Sequence, residues 1–272
     1  MVPSAAWYLQ GSVGASIDDL SPNLPPALRL GAWLAAPILH RLDAKQILAS
    51  SRLSHFHVAN SATCGQTYER WNVRADCVIY PPVDTSVFRP AASNPSEDFC
   101  LTYVGKETDY VPLLALAESG VRITAFGSKF RSAPSHFLSH PRVQYVGEIG
   151  DSELATLYSN AKFTAFPFST EPFGYIPVES MACGTPVLTY NKQGPSETVL
   201  DRQTGWLVEG REEFVRHALR LWTQPSVSTE GRAACRMQGL RFSSEAIGNE
   251  WLNLITGVTG EVVQNGASPS IH

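Results

Sequence analysis

From residue 99 onward the chain alternates short apolar runs with segments of helical length. FCLTYVG (99–105), VRITAFG (121–127), VQYVGEI (143–149), FTAFPF (163–168), PVLTY (186–190) and GWLV (205–208) read as buried strands. YVPLLALAES (110–119), DSELATLYSNA (151–161), YIPVESMAC (175–183) and REEFVRHALRLW (211–222) read as the helices that accompany them. Parallel strands cannot be joined by a tight turn, so strand, helix, strand at this spacing means crossover connections. The expectation is an α/β protein built on a Rossmann-like, doubly wound parallel sheet. Asp151 is expected to cap the helix at 151–161, and Gly184 to follow the end of the helix at 175–183.

The first 77 residues differ. They hold two short strand-like runs, AAWYLQ (5–10) and FHVAN (56–60), among helical and Pro-bearing material. This divides the chain into an abbreviated N-terminal region (1–77), a connector stiffened by paired prolines (78–98), the Rossmann-like domain (99–240), a final helix (241–258) and a polar tail (259–272). The longest apolar run, ALRLGAWLAAPIL (27–39), is interrupted by Arg29 and is too short to span a bilayer. A core helix kinked or ended by Pro37 is the favoured reading; a helix lying on a membrane surface is the alternative.

Composition excludes several classes. A net charge of -4 without a basic run argues against nucleic acid as a partner. The five cysteines are odd in number and lack a C-x-x-C pair, so they read as reduced, buried thiols and not as a zinc site or disulfide framework. The N-terminus has neither the charged start nor the apolar stretch of a secretory signal. A cytoplasmic location is the expectation, with at most peripheral contact at the inner face of a membrane.

In an open parallel sheet, ligands bind outside the carboxyl ends of the strands. The loops there are GKETDY (105–110), GSKF (127–130), GEIGD (147–151), STEPFG (169–174) and NKQGPSE (191–197). None is a G-x-G-x-x-G or Walker loop, which disfavours dinucleotide and P-loop enzymes. STEPFG runs straight into a helix whose unpaired amides and positive dipole end suit a phosphate. Glu171 lies in that loop and Glu179 in the first turns of the helix. Taken singly, each is better read as a solvated carboxylate. Together they flank a phosphate-shaped N-terminus and fit a nucleotide sugar: Glu179 accepting from the ribose diol, Glu171 from hydroxyls of a second sugar.

The stretch EPFGYIPVESMACGTPVLTYNKQGPSETVLDRQTGWLV closely resembles the signature of the retaining glycosyltransferases of family 4, the glycosyl transferases group 1 with the glycosyltransferase-B fold. Glu171 and Glu179 match the family's E-x7-E motif. The resemblance extends to VANS (58–61), VIYPPVDTSVF (78–88), TYVGK (102–106), YVGEIGDSELATLYSNAKFTAFP (145–167) and the final helix. It implies that Glu171 contacts the donor sugar and Glu179 the ribose. Phe173, Gly174 and Tyr175 would approach sugar and diphosphate, and Lys106 would be the cation on the diphosphate. Gly105, Lys129 and Ile149 would complete the donor pocket, and residues 243–258 would cross back onto the N-terminal region.

The implied reaction moves a hexose from a nucleoside diphosphate sugar to a saccharide or lipid-linked hydroxyl acceptor, with retention and with neither metal nor cofactor, in polysaccharide or glycolipid synthesis. Two departures stand out. The family's second cation has no counterpart among Asp109, Tyr110, Val111 and Pro112, and Gln10 stands where relatives carry an active-site His. With the abbreviated N-terminal region, they leave an alternative open: a non-catalytic nucleotide-sugar-binding half, completed on its acceptor side by a partner protein or a second copy.

Overall fold

The computed structural model describes residues 6–10, 26–91, 95–128 and 133–265. Two parallel sheets organise them. The smaller has the order β1-β2-β3, from Ala6–Leu9, Phe56–Ala59 and Cys77–Val78. The larger comprises β4 (Cys100–Tyr103), β5 (Ile123–Phe126), β6 (Val143–Gly147), β7 (Thr164–Phe166), β8 (Val187–Tyr190) and β9 (Gly205–Val208), in the order β6-β5-β4-β7-β8-β9. Every residue of β5, β7 and β8 is buried, as expected of strands covered by helices on both faces. The strands are shorter than the apolar runs suggest because the chain turns at their ends; Gly127 and Gly147 both adopt positive φ there.

The helices are α1 (Pro26–Leu53), α2 (Ala62–Glu69), α3 (Tyr110–Glu118), α4 (Ser135–Leu138), α5 (Asp151–Asn160), α6 (Tyr175–Ala182), α7 (Gln193–Thr198), α8 (Arg211–Thr223), α9 (Thr229–Leu240) and α10 (Ser244–Asn265). Gly184 follows α6 in the left-handed conformation (φ 80°), where a Cβ would be strained. Asp151 is not the cap of α5. Gly150 holds that position and Asp151 is the first helical residue, where its charge meets the positive end of the dipole.

The N-terminal apolar run behaves differently from a core helix. α1 continues through Pro37, and Leu30, Trp33, Leu34, Ile38 and Leu42 are exposed, Trp33 to 71%. Its buried contribution comes further on, where Ile47 packs with Leu9, Ala59, Cys64, Tyr68 and Val73. No helix among the described residues is long and apolar enough to cross a membrane. The five cysteines are all free, four of them buried.

α10 closes the other face of the small sheet. Ile247, Trp251 and Leu254 pack with Val58, Ile79, Tyr8 and Phe56. The crossing is anchored where the Val83 N–H donates to the Phe242 carbonyl at 2.7 Å. A separate core, including Leu101, Leu113, Phe137, Tyr158, Phe166 and Phe214, fills the larger domain. The two bodies meet at the carboxyl ends of their strands, where α2 follows β2 and α7 follows β8.

Candidate functional site

Strand order in the large sheet reverses between β4 and β7, which are neighbours while their following strands lie on opposite sides. Loops leaving such a pair diverge and open a crevice, the ligand position in open α/β sheets. Here they are the loop carrying Lys106 and the loop carrying Glu171. They are also laced together: the Ser169 N–H donates to the Glu107 carbonyl (2.7 Å), and the Asp109 N–H to the Pro167 carbonyl (3.0 Å).

Glu171 is held at Oε1 and at both of its backbone groups. Its Oε1 accepts from the Gly174 N–H at 3.0 Å and the Phe173 N–H at 3.4 Å. Its own N–H donates to Gln193 Oε1 (2.6 Å), and its carbonyl accepts from the Gly194 N–H (3.1 Å). Gly174 stands at the N-cap of α6 with φ 92°, so the tight entry into this helix needs glycine. Burial pushes the Glu171 carboxyl up to about 7; the two amides oppose this and the Glu107 charge adds to it.

Glu179 lies on α6 and accepts from the Tyr158 hydroxyl at 3.0 Å. Tyr158 is fully buried, so this contact holds the carboxylate from behind. Burial raises Glu179 to about 7 as well; Tyr158 opposes the shift and the Asp151 charge reinforces it. Neither glutamate is a solvated surface group. Two carboxyls raised to about 7 on either side of one helix N-terminus can take hydrogen bonds from hydroxyls, and the terminus itself is of a kind that suits an anion.

The other expected site residues are placed as follows. Phe173 is buried and packs against Tyr80, Tyr175 and Phe242, so its side chain belongs to the core and only its backbone faces the loop. Tyr175 is exposed at the start of α6. Lys106 is exposed at the crevice and Ile149 half-buried after β6. Gly105 donates its N–H to Thr108 Oγ1 (3.0 Å), and a Cβ on it would sit 2.2 Å from Tyr103 Cε1. Packing therefore demands the glycine. Lys129 lies outside the described residues.

Three further groups escaped the sequence reading. Asp109, read from the sequence only as one of four residues without a cation, accepts from Arg211 Nε (2.7 Å) and the Tyr190 hydroxyl (3.0 Å). Lys192 reaches over the rings of Phe168 and Tyr190 and donates to the Ser169 carbonyl (3.0 Å). Both cations thus reach this rim from other elements, and only the position of Lys192 just after β8 hinted at it. Glu107 is the third: its Oε2 is buried without a hydrogen-bond partner among the described residues. No group of three or more His, Cys, Asp or Glu among the described residues is arranged to hold a metal ion.

Residues 132–239 match the family model of the glycosyl transferases group 1. A D-inositol 3-phosphate glycosyltransferase of Mycobacterium tuberculosis (strain ATCC 25618 / H37Rv) is 33% identical over 187 residues, which is 58% of this chain and 39% of that relative. The match thus spans well under two thirds of the curated relative. Among solved structures, the Anabaena protein HepE in complex with UDP and glucose aligns over 93% of this chain and 71% of its own, with a TM-score of 0.68 at 17% identity. A sucrose-phosphate synthase from Thermosynechococcus elongatus aligns over 80% and 63%, with a TM-score of 0.64 at 22% identity. The fold is an α/β arrangement of parallel sheets with glycosyltransferase-B neighbours, its larger domain a Rossmann-like half. The likeness to the glycosyl transferases group 1 is thus carried by residues 132–239.

Proposed function

We propose that this chain binds a nucleoside diphosphate sugar in the β4/β7 crevice and transfers its hexose, with retention, to a hydroxyl acceptor. The supporting observation is the placing of Glu171 and Glu179 around the N-terminus of α6 at the strand-order reversal. In this reading Glu179 takes the ribose hydroxyls, Glu171 those of the hexose, and the α6 amides and Lys106 face the diphosphate. The bond from the anomeric carbon to the diphosphate oxygen breaks and one to the acceptor oxygen forms. The acceptor proton passes to the departing diphosphate. Negative charge grows on that group, where fixed amides and a cation stabilise it without a metal or cofactor. The setting is polysaccharide or glycolipid synthesis in the cytoplasm, with at most peripheral membrane contact.

A second reading has its own support. Among the described residues β1 is an edge strand and α1 exposes a stripe of large apolar side chains, which suits a donor-binding half completed by a partner polypeptide or a second copy. Calorimetric titration with UDP, GDP and their sugars tests donor binding in either case. A donor-hydrolysis and transfer assay on the same preparation separates them, since a half-enzyme binds the donor without turning it over.

A further inference from the structure

NKQGPSE (191–197) and VANS (58–61) stand out in the sequence, and the donor-site reading leaves both without a task. In the structure they meet. Glu197, on α7, reaches the first turn of α2 in the other body. Its Oε1 accepts from the Thr63 N–H (2.9 Å) and the Thr63 hydroxyl (2.7 Å). Its Oε2 accepts from the Ala62 N–H (2.8 Å) and from the hydroxyl of Tyr80 in the connector (3.2 Å). Ser61 serves the next two amides of α2: its Oγ accepts from Cys64 and its carbonyl from Gly65, both at 3.0 Å. The first-turn donors of α2 are thus all satisfied, two of them by a carboxylate belonging to the opposite sheet.

The opposite end of α7 holds the donor loop. Gln193 and Gly194 make the two hydrogen bonds to the backbone of Glu171, and a Cβ on Gly194 would lie 2.3 Å from the Phe173 backbone. That contact has no slack. Gln193 itself adopts φ 53°, a conformation that side-chain-bearing residues hold only when their surroundings impose it. The carbonyl of Thr198 is tied to Gln238 Nε2 at 2.7 Å. Tyr80, which bonds Glu197, also lies against the ring of Phe173 (5.9 Å between centroids). One short rigid segment therefore touches the Glu171 loop at its start and clasps the N-terminal region at its end.

We infer that Glu197 is a positioning residue: through α7 it links the orientation of the N-terminal region to the placing of Glu171, so that sugar-bearing donor and interdomain clasp stabilise one another. This rests on the donor-site reading above. Reciprocity is required by linkage: if the clasp favours the donor-competent loop, the donor must favour the clasp.

The test is hydrogen exchange at the Ala62 and Thr63 amides in the full chain, with and without UDP-glucose, beside calorimetry with UDP and UDP-glucose. In wild type, UDP-glucose is expected to slow exchange at both amides by about threefold or more. Glu197→Gln, which presents an amide group to donors that need an acceptor, should exchange about tenfold faster at rest and show no further slowing with the donor. The variant's affinity should fall about fivefold for UDP-glucose and stay unchanged for UDP, a split that a merely structural defect would not produce. If Glu197→Gln does not fold, Tyr80→Phe removes one bond of the clasp and should show the same split at about half the size. Binding of UDP-glucose with no change at Ala62 and Thr63, or equal loss for both ligands, overturns the coupling alone. Failure of wild type to bind UDP, GDP or any of their sugars overturns the donor-site reading and the coupling with it.

Discussion

The two sheets solve the same packing problem in different ways. The six-stranded sheet is covered on both faces by helices near in sequence, and its core holds Phe137, Phe163, Phe166 and Phe214 at essentially no exposure. The three-stranded sheet has one face filled by Ile47 and the residues around Leu9, and the other by α10, contributed from nearly two hundred residues away. It also leaves much of α1 bare. The larger body is self-sufficient, whereas the smaller depends on the far end of the chain and on clasps such as Glu197. The two glutamates whose carboxyls burial raises to about 7, Glu171 and Glu179, both lie in the self-sufficient body.

The contrast breaks first if core truncations cost the same everywhere. Phe137→Ala, in the large core, should destabilise the protein by about 3–5 kcal/mol, whereas Trp33→Ala on the bare face of α1 should change stability by less than about 0.5 kcal/mol. Denaturant unfolding of the two variants measures this. A large loss at Trp33 would show that the stripe is covered in solution.

A middle-sized effect sharpens the electrostatic side. The folded-state pKa of Glu179 is raised from 4.5 to about 7, so the native state holds a proton that the unfolded chain has released. Its contribution to stability is full below about 4.5 and is lost as pH rises towards 7. Glu179→Gln keeps an acceptor for Tyr158 and removes the buried charge. The variant should match wild type near pH 4.5 and gain about 1–3 kcal/mol on it by pH 8, read from urea unfolding at several pH values. Parallel pH profiles would mean that Glu179 is not desolvated. Lys106→Ala sits at the exposed rim and should weaken UDP binding by about 1–2 kcal/mol while leaving uridine unchanged. Equal loss for both would place its effect on the fold.

Legibility in the sequence followed burial. Strands such as TAF (164–166) and VLTY (187–190) are buried on both faces, so they appear as unbroken apolar runs and the α/β plan can be read directly. α7 (QGPSET) and α9 (TEGRAACRMQGL) show no such signal. The first is short and carries Gly and Pro; the second buries little more than Cys235, Gln238 and Gly239, with Gly239 pressed against the backbone of Ala182. The apolar run in α1 has the composition of a core helix, yet burial depends on neighbours that composition does not encode. In the site, the spacing of Glu171 and Glu179 was visible, because both lie within one loop and helix. Tyr158 behind Glu179, Arg211 on Asp109 and Glu197 on α2 were not, since each joins residues 21 to 135 positions apart.

The central claim is that the two glutamates divide one donor between them, and calorimetry on Glu171→Ala and Glu179→Ala with UDP and UDP-glucose tests it most directly. Glu179→Ala should weaken both ligands by about 1.5–3 kcal/mol, because it removes the partner of the shared ribose. Glu171→Ala should leave UDP untouched and weaken only UDP-glucose, by a similar amount, with both variants folded but less stable by about 1–3 kcal/mol for the bonds lost to Tyr158 and to the Phe173 and Gly174 amides. Unaltered binding of both ligands in both variants, or unfolding of both, would contradict the account.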